Sequence, residues 1–283
     1  MTSEHNFRAR SDYNRARRKA FLNRIWSVVS GQPAHLLSYD EVREKLHIGG
    51  PVYRGVRTIR IDKIAGSLNR YHQFDRAFLP TQDETAGRWQ RVDRAYYSEI
   101  SLPPVVLYKV GEVYFVVDGH HRVSVAREQG QEFIDAEVRE CATRINITPD
   151  LKPEDLEILG EKVNFLERTR LDRIRPKADV KLTIPDGFDL LLEHIAVHRY
   201  FMGIDFQRDI PEEEAVAHWY DSVYMPIIKV IRSSKILEEF PGKTEADLYL
   251  WVLERQHELM EQEGQPLKPP RKAAREFLED VEP

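Results

Sequence analysis

The sequence contains a single cysteine, Cys141, so an intramolecular disulfide is excluded. No stretch approaches the roughly 18 consecutive apolar residues that a membrane-spanning helix needs. The first residues, Met1 to His5, also lack the apolar core of a signal peptide. We therefore expect a cytoplasmic protein without a membrane partner. Its 283 residues, 41% hydrophobic and 31% charged, indicate a soluble globular chain of one large or two ordinary domains.

Charge is distributed unevenly between the two halves of the chain. Residues 1–150 hold 23 Lys and Arg against 19 Asp and Glu, a net charge of +4, whereas residues 151–283 carry −9. Any attraction to a polyanion is therefore expected in the first half. Residues 7–30 predict one helix that starts basic and carries apolar positions at helical spacing toward its end. Gly31-Gln32-Pro33 would end it.

Two interpretations of this basic helix stay open. One is a solvated helix that packs on the domain, and the other is a contact with nucleic acid or another anionic partner. The basic residues are Arg8, Arg10, Arg15, Arg17, Arg18, Lys19 and Arg24, and the apolar ones are Phe7, Phe21, Leu22, Ile25, Val28 and Val29.

Hydrophobic periodicity predicts a small α+β domain after this helix. Strands are expected near 53–62, 105–110, 113–117 and 134–138, the middle two joined as a hairpin by Gly111-Glu112. Helices are expected at 120–129 and 152–168, and residues 63–100 are expected to be irregular or partly helical. A short helix capped by Ser38 should run to about Leu46.

The second half predicts helices throughout. Candidates are 187–202, 211–237 with a break or kink at Pro226, 244–263 and 270–280. The fold class is therefore α+β, with a small mixed-sheet domain followed by an all-helical domain. The predicted boundaries are 1–50 for the basic and short helices, 51–168 for the α+β domain and 169–283 for the helical domain.

The segment Asp118-Gly119-His120-His121-Arg122 passes directly from a strand into a helix. The first amides of a helix lack internal partners, and the helix dipole adds partial positive charge there. Gly119 lets a phosphate approach the backbone, and Arg122 offers a charged fork to phosphate oxygens. His120 and His121 can donate hydrogen bonds or exchange protons, and Asp118 can hold Mg²⁺ or accept a proton.

The hairpin, this box and the following helix to Gly130 resemble the nucleotide-binding core of the ParB/sulfiredoxin superfamily, over roughly residues 52–140. The superfamily has a Gly-x-x-Arg box here and includes CTP-binding ParB domains, ATP-using sulfiredoxins and free serine kinases. His120 replaces the sulfiredoxin cysteine, which disfavours peroxiredoxin repair. His120-His121 also replaces the Glu-Arg pair of ParB, and no helix-turn-helix follows. The box is most similar to that of the serine kinases, Asp-Gly-His-x-Arg.

The resemblance implies a second contact loop before the hairpin. Gly66-Ser67-Leu68-Asn69-Arg70 is the candidate, with Ser67 and Arg70 as ligands of the nucleotide. A surface salt bridge is the alternative role for Arg70. His194 and His198 are four residues apart on a predicted helix, but we interpret them as packing residues and expect no metal site within the protein itself.

Together these features predict a nucleotide-binding protein. The nucleotide would be ATP, ADP or CTP, bound together with Mg²⁺. The reaction would be phosphotransfer or hydrolysis. Gly119, His120, His121, Arg122, Ser67 and Arg70 would bind it, and Asp118, His120 and His121 would act in catalysis. The alternative is a non-catalytic, nucleotide-gated DNA-binding or regulatory protein that uses the basic helix. A third possibility is a degenerate domain that serves only as an interaction scaffold. We expect a bacterial protein that can form homo-oligomers.

Overall fold

A computed structural model describes residues 2–30, 35–70, 72–98, 100–263 and 268–281. The predicted helix break at Gly31-Gln32-Pro33 lies outside the described residues. Backbone contacts divide the chain into two units, residues 1–156 and 157–283. The first unit contains a sheet with helices, and the second is helical among its described residues. The predicted α+β class with a helical second part is confirmed.

A six-stranded mixed sheet forms the centre of the described part of the first unit. The strands are β1 (Leu37–Ser38), β2 (Pro51–Arg60), β3 (Ile64–Ser67), β4 (Val105–Val110), β5 (Val113–Asp118) and β6 (Phe133–Cys141). Their order in the sheet is β1-β3-β5-β4-β6-β2. β4 and β5 form the predicted antiparallel hairpin, and β3 and β6 flank it in parallel. β2 pairs antiparallel with β6, and β1 pairs in parallel with β3.

Four α-helices lie entirely within the described part of the first unit. They are α1 (Thr2–Ser30), α2 (Tyr39–Lys45), α3 (Ala86–Tyr97) and α4 (His120–Glu128). Ser38 caps α2 by accepting a hydrogen bond from the Glu41 amide, as predicted. α4 buries Val123 in the main core, beside Leu107, Val116 and Val138 of the sheet. The sheet therefore holds α4 directly behind the end of β5.

The structure corrects the sequence analysis at β3. Residues 63–100 were expected to be irregular or partly helical and Gly66-Ser67 part of a loop, but Ile64–Ser67 is a strand inside the sheet. All four of its residues are buried, so the strand lacks the alternation of polar and apolar side chains that reveals a half-buried strand. Gly66 is needed because the Phe115 ring occupies its side-chain position, 2.1 Å from where a Cβ would lie.

α1 packs on the domain through small residues rather than through its large apolar ones. Ala9, Ala16 and Ala20 are buried together with Tyr13, which meets Trp89 of α3 edge to face at 5.6 Å. The large apolar side chains at the end of α1 are exposed, Trp26 included. The apolar periodicity near residues 21–29 therefore marks a surface of the first unit and not its core.

The helices predicted for the second half are present with changes in their bounds. They are α5 (Asp155–Thr169), which begins in the first unit, α7 (Gly187–Phe206), α8 (Glu212–Trp219) and α9 (Met225–Ser234) in place of the predicted 211–237, α10 (Glu245–Glu263) and α11 (Pro270–Val281). A short helix that was not predicted, α6 (Leu171–Ile174), follows α5. A π-helical turn, Tyr220–Tyr224, joins α8 to α9 just before Pro226. Because proline cannot donate to the preceding turn, the wider turn absorbs the predicted break.

A buried carboxylate lies where α1, α3 and α4 meet. Asp93 is fully buried, and its Oδ1 accepts a hydrogen bond of 2.8 Å from Gln129 Nε2. The pKa of Asp93 is raised from 3.8 to about 6, mainly by burial; the hydrogen bond from Gln129 opposes the rise, and the charge and hydrogen bond of Asp12 add to it. Its Oδ2 has no other partner among the described residues, so the protonated form fits this position better than the anion.

Asp93 should therefore destabilise the folded protein as the pH rises. The folded pKa lies above the unfolded value, so the stability that protonated Asp93 contributes is complete below about pH 4 and is lost as pH rises through about 6. Asp93→Asn keeps the acceptor for Gln129 and can donate to Asp12, so we expect a higher melting temperature at pH 7–8 and a flatter pH profile between pH 4 and 7. Glu132→Gln, at an exposed site, is the control, and an unchanged profile in Asp93→Asn would contradict the assignment.

Candidate functional site

The turn between β5 and α4 leaves the start of the helix open. Gly119 is the N-cap of α4 with a φ of 99°, in the left-handed region, and no side chain makes a capping hydrogen bond there. Its carbonyl accepts from the Val123 amide at 3.0 Å. The amides of the first turn therefore lack a side-chain acceptor among the described residues, and these are the groups that bind anions at helix N-termini.

His120 lies beneath this turn in a hydrogen-bonded network. Its Nε2 is 2.8 Å from Ser67 Oγ, and Ser67 Oγ accepts from the Arg70 amide at 3.1 Å. The tautomer of the His120 ring sets which of the two, Nε2 or the Ser67 hydroxyl, donates in this contact. Burial lowers the pKa of His120 to about 4, with smaller contributions from the charges of Arg70 and His121. His120 is therefore neutral near pH 7 and helps to fix the loop after β3.

His121 is buried without a hydrogen-bond partner for one ring nitrogen. The residue is 7% exposed, and its Nδ1 is buried and has no partner among the described residues. Phe74 meets its ring edge to face at 5.4 Å. The pKa of His121 is lowered to about 4, mainly by burial and to a smaller extent by the positive charges of Arg88 and Arg70. A neutral, unsatisfied imidazole next to cations is costly unless another group joins it.

Arg70 and Arg88 supply positive charge without a counterion among the described residues. Neither guanidinium forms an ion pair or side-chain hydrogen bond with another described residue, although each lies close enough to His121 to shift its pKa. Arg70 is half-buried after β3, and Arg88 is exposed in the first turn of α3. Arg70 was expected at the site from the sequence. Arg88 was not, because nothing in the sequence indicates that α3 begins beside residues 118–122.

Arg122 is held by the protein itself. One guanidinium nitrogen, Nη1, donates to the carbonyls of Pro103 and Pro104, and Nη2 donates to Asp118 Oδ2 at 2.6 Å. The Arg122 side chain is 15% exposed, whereas that of Asp118 is 73% exposed. Arg122 thus ties the segment before β4 to the end of β5. It binds a phosphate as predicted only if Asp118 releases it.

Most basic residues of α1 that could attract a nucleic acid form ion pairs. Arg15 and Lys19 both contact the buried carboxylate of Glu128, Arg17 contacts Asp83 and Arg8 contacts Glu4. These pairs satisfy the charge within the first unit. The nucleic-acid contact stays a prediction without a geometric argument in its favour.

The described residues contain no group of three His, Cys, Asp or Glu side chains arranged to hold a metal ion. His198 Nε2 lies 2.8 Å from His218 Nδ1, and the two rings stack at 5.0 Å. This contact joins α7 to α8 as a packing interaction. Within the described residues, no helix combines the length and apolar character needed to cross a membrane.

Comparisons with known proteins add little. No protein-family model and no curated protein matches the chain. One solved structure that aligns with it is the C2221 form of a Pnob8-like ParB-N domain, which is 10% identical. The alignment covers 82% of this chain and 98% of that one, with a TM-score of 0.22. A likeness of this size says nothing about function.

Gly119 is expected to be indispensable at the turn. A Cβ at this position would lie 2.5 Å from Val105 Cγ1, in addition to the strain of a positive φ. Gly130, just beyond the other end of α4, also has a positive φ but has nothing within 4 Å of its Cβ position. Gly130→Ala should therefore cost about 1–2 kcal/mol, from strain alone.

Gly119→Ala should cost about 1–3 kcal/mol more, because it also overpacks Val105. Urea unfolding of the two variants measures the difference. Equal losses of stability would show that the close approach of Gly119 to β4 is not a constraint.

Proposed function

We propose that the protein binds the phosphate groups of a nucleotide at the start of α4. The observation that carries this proposal is the buried, unpartnered Nδ1 of His121 beside the open helix end and two uncompensated arginines. Each feature alone is common in proteins. Together they would bring hydrogen-bond donors and positive charge to the start of α4, where the nearby carboxylate of Asp118 is paired with Arg122.

The proposed ligands of the phosphate groups differ from those expected from the sequence: Arg88 is added, and Arg122 has a secondary role. The amides that follow Gly119 and the guanidinium groups of Arg70 and Arg88 supply the attraction. His121 supplies a ring N–H, while His120 and Ser67 position the loop that carries Arg70. Arg122 acts first by holding Asp118 and only secondarily as a ligand.

The nucleotide class and the reaction rest on the resemblance of the box to nucleotide-using proteins. ATP, ADP or CTP would bind with Mg²⁺, for which the exposed Asp118 carboxylate is the ligand the box offers. The reaction would be phosphotransfer or hydrolysis. Because His121 is neutral near pH 7, it can accept a proton from an attacking hydroxyl. Release of phosphate or formation of a phosphorylated product separates this enzyme from a protein that only binds nucleotides.

Removal of either free arginine should weaken nucleotide binding. Arg70→Ala and Arg88→Ala should each raise the dissociation constant for ATP, ADP or CTP by about tenfold, since a charge-assisted hydrogen bond contributes about 1.5–3 kcal/mol. Isothermal titration calorimetry with and without Mg²⁺ measures the change. Arg91→Ala is the matched control, because Arg91 is exposed on the same helix and does not shift the pKa of either histidine. Losses equal to that of Arg91→Ala would contradict the proposed site.

Anion binding should also take up protons. A bound anion stabilises the charged imidazoles, so their pKa values rise from about 4 in the free protein. Sulfate is the useful probe because it stays a dianion over this range. We expect sulfate affinity to increase as the pH falls from 7 to 5. His121→Asn should flatten this dependence. Calorimetry in two buffers of different ionisation enthalpy measures the proton uptake, and none at pH 5–6 would exclude His121 from the contact.

A further inference from the structure

The last three turns of α1 carry an exposed apolar surface, here named the α1 face. Its members are 50–75% exposed, which is unusual for side chains of this size within one short segment. They are Phe21, Leu22, Ile25, Trp26 and Val29. None of the described side chains in residues 21–30 is buried, so this end of α1 does not pack in the core of the first unit.

The α1 face lies opposite the side by which α1 packs on its own unit. At about 100° per residue, its five side chains fall within an arc of about 140°. The side chains that α1 buries against the unit, Ala9, Tyr13, Ala16 and Ala20, fall in an arc centred about 180° away. α1 therefore uses small residues toward its own unit and presents large apolar residues outward.

The surroundings of this face are cationic. The sequence has no Asp or Glu from Tyr13 through Tyr39. Arg18 and Arg24 are exposed and form no ion pair with another described residue, unlike Arg15 and Lys19. Arg18 precedes Leu22 by one turn, on the same side of the helix. The partner of the α1 face must therefore accept apolar side chains and carry negative charge.

We propose that the α1 face binds an anionic lipid surface, with α1 lying in the plane of the interface. Trp and Phe on one face together with Arg is the composition of interfacial helices. A single convex helix suits a deformable lipid surface, since it offers no groove of its own. The apolar segment is shorter than the three to four heptads of a coiled coil, and a second copy would add further uncompensated arginines to the contact. Such a helix lies on the membrane and does not cross it.

Vesicle binding by the full chain tests this proposal. Vesicles of phosphatidylcholine and phosphatidylglycerol in equal parts should sediment the protein, pure phosphatidylcholine vesicles should do so weakly, and added salt should reduce the binding. The emission of Trp26 should shift to shorter wavelength on binding. Trp89 and Trp219 are fully buried and should not respond. Trp26→Phe should lose most of the spectral shift and keep sedimentation.

Substitutions on the α1 face separate its apolar and cationic parts. Ile25→Ser with Trp26→Ser should lower the partition coefficient by about tenfold or more, because large apolar burial is lost. Arg18→Gln with Arg24→Gln should lower binding to the anionic vesicles and erase their advantage over the neutral ones. Val52→Ser, at an exposed apolar site on β2, and Lys177→Gln, at an exposed cationic site, are the matched controls and should bind as the unaltered chain does.

Three results would overturn the proposal. The first is absence of vesicle binding at low salt, and the second is equal binding by the Ile25→Ser, Trp26→Ser protein. The third is a dimer that forms without lipid and is abolished by the same double variant, which would assign the α1 face to a second copy. Because all the altered side chains are exposed, unchanged circular dichroism and melting temperature of each variant confirm that folding does not explain the results.

Discussion

The left-handed turn at Gly119 is the constraint on which the site depends. β5 ends in the middle of the sheet, and α4 must start at once to bury Val123 beside the strands. Gly119 makes this turn with a positive φ, and a residue without a side chain fits against Val105. Because the N-cap residue is itself glycine, it has no side chain to cap the helix. An open helix end is thus a consequence of how the strand and the helix are joined.

Two histidines are buried at the start of α4, and their burial is unfavourable for the stability of the fold. His120 is satisfied by Ser67, but His121 keeps one ring nitrogen without a partner. Phe74 packs against both rings, at 6.1 and 5.4 Å, so neither can turn freely toward water. A fold gains no stability from such an arrangement. Its position beside two arginines that lack a counterion among the described residues is what favours an anion as the missing partner.

The sequence predicted the elements with strong periodicity and missed those defined by tertiary contacts. The hairpin over 105–117 and the helix after it were found because alternation and a glycine turn are local signals. β3 was missed since it is four residues long and buried throughout. Arg88 joins the site only because α3 lies beside α4, where Trp89 Nε1 donates to Ser124 Oγ. No spacing in the chain encodes that packing.

The ion pair of Arg122 with Asp118 gives the box arginine a purpose other than the one its motif implies. Asp118 is the last residue of β5, so its carboxylate lies near the helix end and would repel an incoming phosphate. Arg122 neutralises it at 2.6 Å while also holding the carbonyl of Pro104. The positive potential of Arg70 and Arg88 is then unopposed. Under the proposed function, Asp118 would be the residue that holds Mg²⁺, and pairing of its carboxylate with the metal would free Arg122 to contact a phosphate.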